Sequence, residues 1–348
     1  MSLVKIFATS GSEELSQGIC RELRFRLPKE VQPAEGISLA KVRINRFSND
    51  NIQVQVENIR GCFVVAIHTQ TPPVNDRLIE LFAILDAIVN ANPADVLLVF
   101  PYMSYSRSDR KNQPRISTMG QLIPKIISNV LGIKRVLLLD PHDSHIKHYF
   151  HPTADEISAL YLFADYIEKG ILTSYPKEKC VVVFADAGAA KRYENLPQLI
   201  NLPTAHINKI RLDNSERPVL KTVVGDVKEK TCILIDDEIL TGGTVVVDAN
   251  SLFEAGATMV SMFAIHAVLA DKKLSTEEVI QRMEKSRIEN FVITDSIPSR
   301  HKIAFSKKFC VLSVVPLLAE AISRTIKNES LTELHDYKNV AFYRVPQS

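Results

Sequence analysis

Six short apolar runs recur along the chain: FVVAI (Phe63 to Ile67), VLLVF (Val96 to Phe100), VLLLD (Val136 to Asp140), CVVVFAD (Cys180 to Asp186), CILIDD (Cys232 to Asp237) and MVSMFAI (Met259 to Ile265). Their cores do not alternate apolar with polar residues, so each reads as a strand covered on both faces. The gaps between them hold crossover helices, and one gap shows the helical period directly. NDRLIELFAILDAIVNA sets Leu78, Leu81, Phe82, Leu85 and Ile88 on one face. Strands of this kind joined by helices predict an α/β protein with mainly parallel sheets. A chain of 348 residues exceeds the usual single core, so two domains are expected, with a boundary near residue 155.

Parallel sheets bind ligands beyond the carboxyl ends of their strands, so the residues after each apolar run carry the information. CILIDD leads into EILTGGT. That order reads as strand, acidic turn, small-residue loop, helix. Glycines let a backbone come close to a ligand, and the free amides at a helix start favour an anion, so Thr241 to Thr244 suit a phosphate. Asp236 and Asp237 would be repelled by that same phosphate unless they serve sugar hydroxyls or a metal ion. A phosphorylated sugar satisfies both halves. The plain structural alternative is a tight strand-to-helix turn capped by Thr241.

Three other run ends, and one later segment, offer the same kind of choice. SRSDRKNQPR gathers Arg107, Arg110, Lys111 and Arg115 around Asp109, either as a solvated charged loop or as a grip on a polyphosphate. DPHDSHIKHYFH holds four of the nine histidines, and His142, just past a strand end, is the best placed to meet a ligand or cation. Asp186 is either a helix N-cap or a hard oxygen ligand for a magnesium ion that bridges phosphates. HINKIRLDNSERP is either a surface loop or a mobile segment whose Lys209 and Arg211 close over a transferring phosphoryl group.

A net charge of +2 gives no reason to expect nucleic acid or an anionic membrane as partner. Cys20, Cys62, Cys180, Cys232 and Cys310 are scattered without metal-site spacing and read as reduced core residues. The start MSLVKIFATSGSEEL lacks a secretory pattern, and no apolar run approaches the roughly 20 residues needed to span a bilayer, so a cytoplasmic protein is expected.

In order, KIFATSGSEEL, RFSNDNIQVQVENIRG, PPVNDRLIELFAILDA, PYMSYSRSDRK, LDPHDSHI, FADAGAAKR, NKIR, VVGDVKEKTCILIDDEILTGGT, FAIHAVL, VITDSIP and LLAEAISRTI resemble the ribose-phosphate pyrophosphokinase family, the phosphoribosyl pyrophosphate synthetases. The likeness runs to about residue 335. It implies two tandem phosphoribosyltransferase-like domains: residues 1–155 with the ATP-binding motifs, and residues 156–348 with the ribose-phosphate loop, the catalytic loop and a tail. The implied reaction moves the β,γ-diphosphate of Mg-ATP to the anomeric hydroxyl of ribose 5-phosphate and releases AMP. The implied assembly is a homo-oligomer built from dimers, up to a hexamer, in which a neighbour completes the ATP site.

Carried over by position, Arg107, Ser108, Asp109, Arg110, Lys111 and His142 would hold ATP, with Phe47, Asn49 and Asn51 reaching in from the adjacent subunit. His142 and Asp186 would bind Mg²⁺. Lys209 and Arg211 would be catalytic, Asp236 and Asp237 would take the ribose hydroxyls and metal, and Leu240, Thr241, Gly242, Gly243 and Thr244 the 5-phosphate.

The chain departs from the family pattern at ligand positions. F-S-D-G-E is here Phe47-Ser48-Asn49-Asp50-Asn51, R-Q-D is Arg107-Ser108-Asp109, D-K-R-R is Asn208-Lys209-Ile210-Arg211, and the acid before T-G-G-T is Leu240. One reading is an active diphosphokinase with altered nucleotide contacts or a modified acceptor, and an acceptor larger than ribose 5-phosphate, such as ADP-ribose, would account for remodelled loops. A non-catalytic synthetase-associated regulatory subunit is a second reading, against which Lys209 and Arg211 stand. A phosphoribosyltransferase would share the T-G-G-T loop but would not need the SRSDRK and LDPH segments.

Overall fold

The computed structural model describes residues 2–109, 114–210 and 220–335, and within them all six apolar runs are strands. The chain divides into two units. The first takes the residues up to Ser158, together with Ser296–Pro298 and the chain from Val314 onward, and the second takes Ala159–Asp295 and Ser299–Ser313.

In the first unit, β1 (Val4–Ala8), β4 (Phe63–Thr69), β5 (Asp95–Tyr102), β6 (Arg135–Leu139) and β7 (Asp155–Ile157) form a parallel sheet in that order. A separate antiparallel hairpin joins β2 (Val42–Arg46) to β3 (Ile52–Val56). Its strands were not among the apolar runs because VRINR and IQVQV alternate. Val42, Ile44, Val54 and Val56 pack on the core and the residues between them face water. The predicted helix is present at Val74–Asn90, with Ile84 fully buried and Phe82 only partly so, a small rotation of the expected face.

The expected division at residue 155 does not describe the end of the chain. The helix Val315–Lys327 packs on the helix Glu13–Arg26 of the first unit, where Gly18 leaves room for Val315; a Cβ there would lie 2.9 Å from Val315 Cγ2. Arg26 bridges Glu320 (2.8 Å) and Glu22 (2.9 Å), and Arg324 also holds Glu320 (2.9 Å). Such a half-buried network fixes the helix register.

The second unit is a seven-stranded sheet ordered β10 (Leu220–Val224), β9 (Thr204–Ile210), β8 (Cys180–Phe184), β11 (Thr231–Ile239), β12 (Met259–Ala267), β13 (Asn290–Thr294), β14 (Phe309–Leu312). Only β10 runs antiparallel. The chain leaves β8 toward one edge, then returns to β11 and builds toward the other. Four cysteines are buried, Cys310 is partly buried, and all five are free thiols. No described helix is long and apolar enough to cross a membrane.

Candidate active site

In the second unit, β8 and β11 are neighbours, with Phe184 opposite Ile235, and their chains diverge to opposite sides of the sheet. That divergence opens a crevice at the carboxyl ends, the place where open α/β sheets bind ligands. Asp186 stands two residues past β8, and Asp236 and Asp237 lie at the corresponding level of β11. The acids are not in a turn, as the sequence suggested. Pairing with β12 carries the strand on through Glu238, opposite His266, and Ile239, opposite Ala267.

The loop after β11 is shaped by two constraints. Gly242 has φ +70°, and a Cβ there would lie 2.6 Å from Met283 Cγ, so both conformation and space require glycine. The helix Gly243–Glu254 then begins, 12 residues long, with its first amides aimed out of the turn. The Gly243 N–H donates to Thr241 Oγ1 (3.4 Å). Thr244 is exposed, Thr241 is half-buried, and Leu240 is 37% exposed at the rim. The loop, with the helix start, presents donors to an anion.

Arg192 Nη1 lies 3.2 Å from Asp237 Oδ1, with the two side chains 18% and 3% exposed. Burial works to lower the Arg192 pKa, but the Asp237 carboxylate, helped by Tyr193 and Asp236, more than offsets it, and Arg192 stays charged. Asp236 is pushed well above the ordinary carboxylate range by burial first, then by Asp237 and Asp186. Burial and the two neighbouring acids therefore favour the protonated form of Asp236.

Among the described residues no group of three or more His, Cys, Asp or Glu is arranged to hold a metal ion. Magnesium does not need one, because it keeps several waters and takes one or two carboxylates beside substrate phosphates. Asp186 would supply one such carboxylate. Asp186 also caps the following helix, accepting the Ala189 N–H at 2.8 Å, so the structural alternative and the ligand role are compatible.

Lys209 is part of β9, paired with Lys221 of β10, so the segment expected as a loop after a short strand is strand as far as Ile210. Arg211 lies outside the described residues, as do Arg110 and Lys111.

In the first unit, the residues after β5 are folded tightly. Tyr105 has φ +63°, and its hydroxyl donates to the Asn75 side chain. Gly120 allows the next helix to approach, since a Cβ there would lie 3.0 Å from the carbonyl oxygens of both Tyr105 and Ser108. Its N–H donates to Ser108 O (2.9 Å), and Gln121 Nε2 donates to Asp109 O (2.8 Å). Arg107 is left exposed, Ser108 half-buried and Asp109 buried. Asp109 lines a cleft of about 360 Å³ with His145, His148 and Tyr149. His142 follows the turn at Asp140 (φ +39°), whose carboxylate accepts the Ser158 hydroxyl at 2.6 Å. Phe47, 52% exposed, sits with Asn49 and Asn51 at the tip of the β2–β3 hairpin, where Asp50 (φ +69°) makes the turn.

Two features of the second unit had no motif to announce them. Glu238 and His266 are buried register partners beside the acids, and the one available signal was a polar residue at the end of each apolar run. Arg282 donates from Nη1 to the Thr241 carbonyl oxygen (3.3 Å) from 41 residues away, a contact that no local pattern encodes.

Residues 4–130 match the N-terminal domain of ribose phosphate pyrophosphokinase, and residues 185–336 match the phosphoribosyl synthetase-associated domain. The chain is 36% identical over 315 residues to the ribose-phosphate pyrophosphokinase of Bacillus caldolyticus, covering 90% of this chain and 95% of that one. It is 37% identical over 317 residues to ribose-phosphate pyrophosphokinase 2 of Enterococcus faecalis, covering 90% and 94%. Among solved structures, phosphoribosylpyrophosphate synthetase from Mycobacterium smegmatis is similar with a TM-score of 0.81 at 28% identity, over 94% of this chain and 99% of that one.

Proposed function

The chain belongs to the ribose-phosphate pyrophosphokinase family, and from that premise we propose that it transfers the β,γ-diphosphate of ATP to the anomeric hydroxyl of ribose 5-phosphate, with AMP as the second product. The observation that carries this reading is the order of groups along β11 and the helix after it: two acids, then a glycine turn, then a helix N-terminus. Thr241 to Thr244 take the 5-phosphate, and Asp236 and Asp237 take the ribose hydroxyls. Asp236, whose protonated form is favoured by burial and by the neighbouring acids, suits a sugar hydroxyl.

Arg107, Ser108, Asp109 and His142 of the first unit hold ATP, with Arg110 and Lys111. His142 and Asp186 would hold Mg²⁺, which when bound would shield the negative charge of the phosphates. The chemistry asks little covalent help from the protein, because alignment and charge neutralisation lower the barrier. Lys209 and Arg211 supply the positive charge on the transferring group. The exposed Phe47 supports a homo-oligomer in which this hairpin tip completes a neighbour's ATP site.

One observation favours a larger acceptor as a second reading. Leu240 is exposed where the family pattern has an acid, and its neutral side chain does not repel an additional phosphate, as in ADP-ribose.

The deciding experiment is AMP release from ATP with magnesium against a panel that includes ribose 5-phosphate and ADP-ribose. Release with ribose 5-phosphate, abolished in Lys209→Ala without loss of fold, is the expected result. Release with ADP-ribose alone selects the larger acceptor. Silence with every acceptor rejects both and leaves the regulatory-subunit reading.

A further inference from the structure

The turn that precedes the helix Gly243–Glu254 is held from outside its own motif. The helix Thr276–Glu284 is fixed at its start by a reciprocal cap, in which Ser275 Oγ accepts the Glu278 N–H (3.2 Å) and the Glu278 carboxylate accepts the Ser275 N–H (2.8 Å). At its other end Met283 is fully buried and presses on Gly242, where it would collide with any Cβ. The preceding residue, Arg282, is thereby brought over the loop. Its Nη1 donates to the Thr241 carbonyl and would lie 3.5 Å from a Cβ on Gly243.

Arg282 stays exposed, and among the described residues no carboxylate pairs with it. The nearest acids of its own helix are engaged elsewhere: Glu278 in the cap, and Glu284 as acceptor of the Ser306 hydroxyl. A guanidinium offers five N–H donors, and one is used on the carbonyl. The rest are available beside an anion cradle whose rim carries Leu240 in place of an acid. That combination, a pinned backbone and a cation with spare donors, is what phosphate recognition by arginine uses.

We propose that Arg282 is a binding residue for the acceptor's phosphate, adding a guanidinium to the amides and threonines of the loop so that the site selects a phosphomonoester dianion. The inference rests on the assignment of Thr241 to Thr244 to the 5-phosphate. Arg282→Gln keeps a donor for the Thr241 carbonyl but removes the charge, whereas Arg282→Lys keeps the charge.

The test is calorimetric affinity for ribose 5-phosphate in the absence of ATP, with the ligand-free melting temperature and the calorimetric affinity for ATP as controls. The expected result is a weakening of about 10- to 100-fold in Arg282→Gln, substantial recovery in Arg282→Lys, and unchanged controls. Wild-type affinity in Arg282→Gln, equal weakening in the two variants, or no binding by the unaltered chain would each overturn the inference. Because binding is read without turnover, a chain that holds ribose 5-phosphate through Arg282 yet releases no AMP keeps this inference and loses the proposed reaction. Normal turnover and affinity in Arg282→Gln do the reverse.

Discussion

Replacing Arg192 with methionine removes the guanidinium 3.2 Å from Asp237 while keeping most of the apolar stem. Asp237 is 3% exposed, so the carboxylate left behind cannot recover its lost partner from water. Removing one member of such a buried pair costs about 3–5 kcal/mol. At about 2–4 °C per kcal/mol for a unit of this size, the melting temperature falls by about 6–20 °C. Asp237→Asn in the same background relieves most of the penalty, because an amide needs no counter-charge. The assay is a double-mutant cycle on Arg192→Met, Asp237→Asn and the pair, read by urea unfolding. Coupling of about 2 kcal/mol or more is expected. Single effects that simply add, or an Arg192→Met variant within 1 kcal/mol of the unaltered chain, would refute the claim that this ion pair ties the end of β8 to the end of β11.

Three further outcomes follow from the same geometry. His68 is fully buried, with Nδ1 2.7 Å from Thr9 Oγ1, and burial, reinforced by Arg77, pushes its pKa from 6.5 down to about 3. The unfolded chain takes up a proton that the folded one refuses, so stability is full above pH 6.5 and declines as pH falls toward 3, by at most about 1.4 kcal/mol per unit. In His68→Gln that slope in urea midpoints disappears; an unchanged slope places the titration elsewhere. Asp236→Asn raises the ligand-free melting temperature at neutral pH, since the native state pays for ionising a carboxyl whose pKa is raised. The gain shrinks as pH falls toward the ordinary value of 3.8, while turnover is lost throughout. Gly242→Ala meets both the positive φ and Met283, costing about 2–4 kcal/mol and the affinity for ribose 5-phosphate; a variant with normal affinity would show that the turn tolerates a side chain.

Continuous apolar runs and glycine turns are local properties, so they reveal the buried strands, the parallel α/β class and the groups that follow β5, β6, β8 and β11 without reference to the folded chain. The T-G-G-T loop and its acids were legible for the same reason, and so was their family. Tertiary structure decided the rest. The crevice exists because β8 and β11 become neighbours only when the chain reverses its direction of build, and strand order is not written in any single run. Long-range contacts made Asp237 a buried partner of Arg192 and set Asp236 beside two other acids. They also brought Arg282 over Thr241 and folded the helix Val315–Lys327 back onto the first unit. Charge and space act through distance in three dimensions, and sequence separation does not reveal that distance.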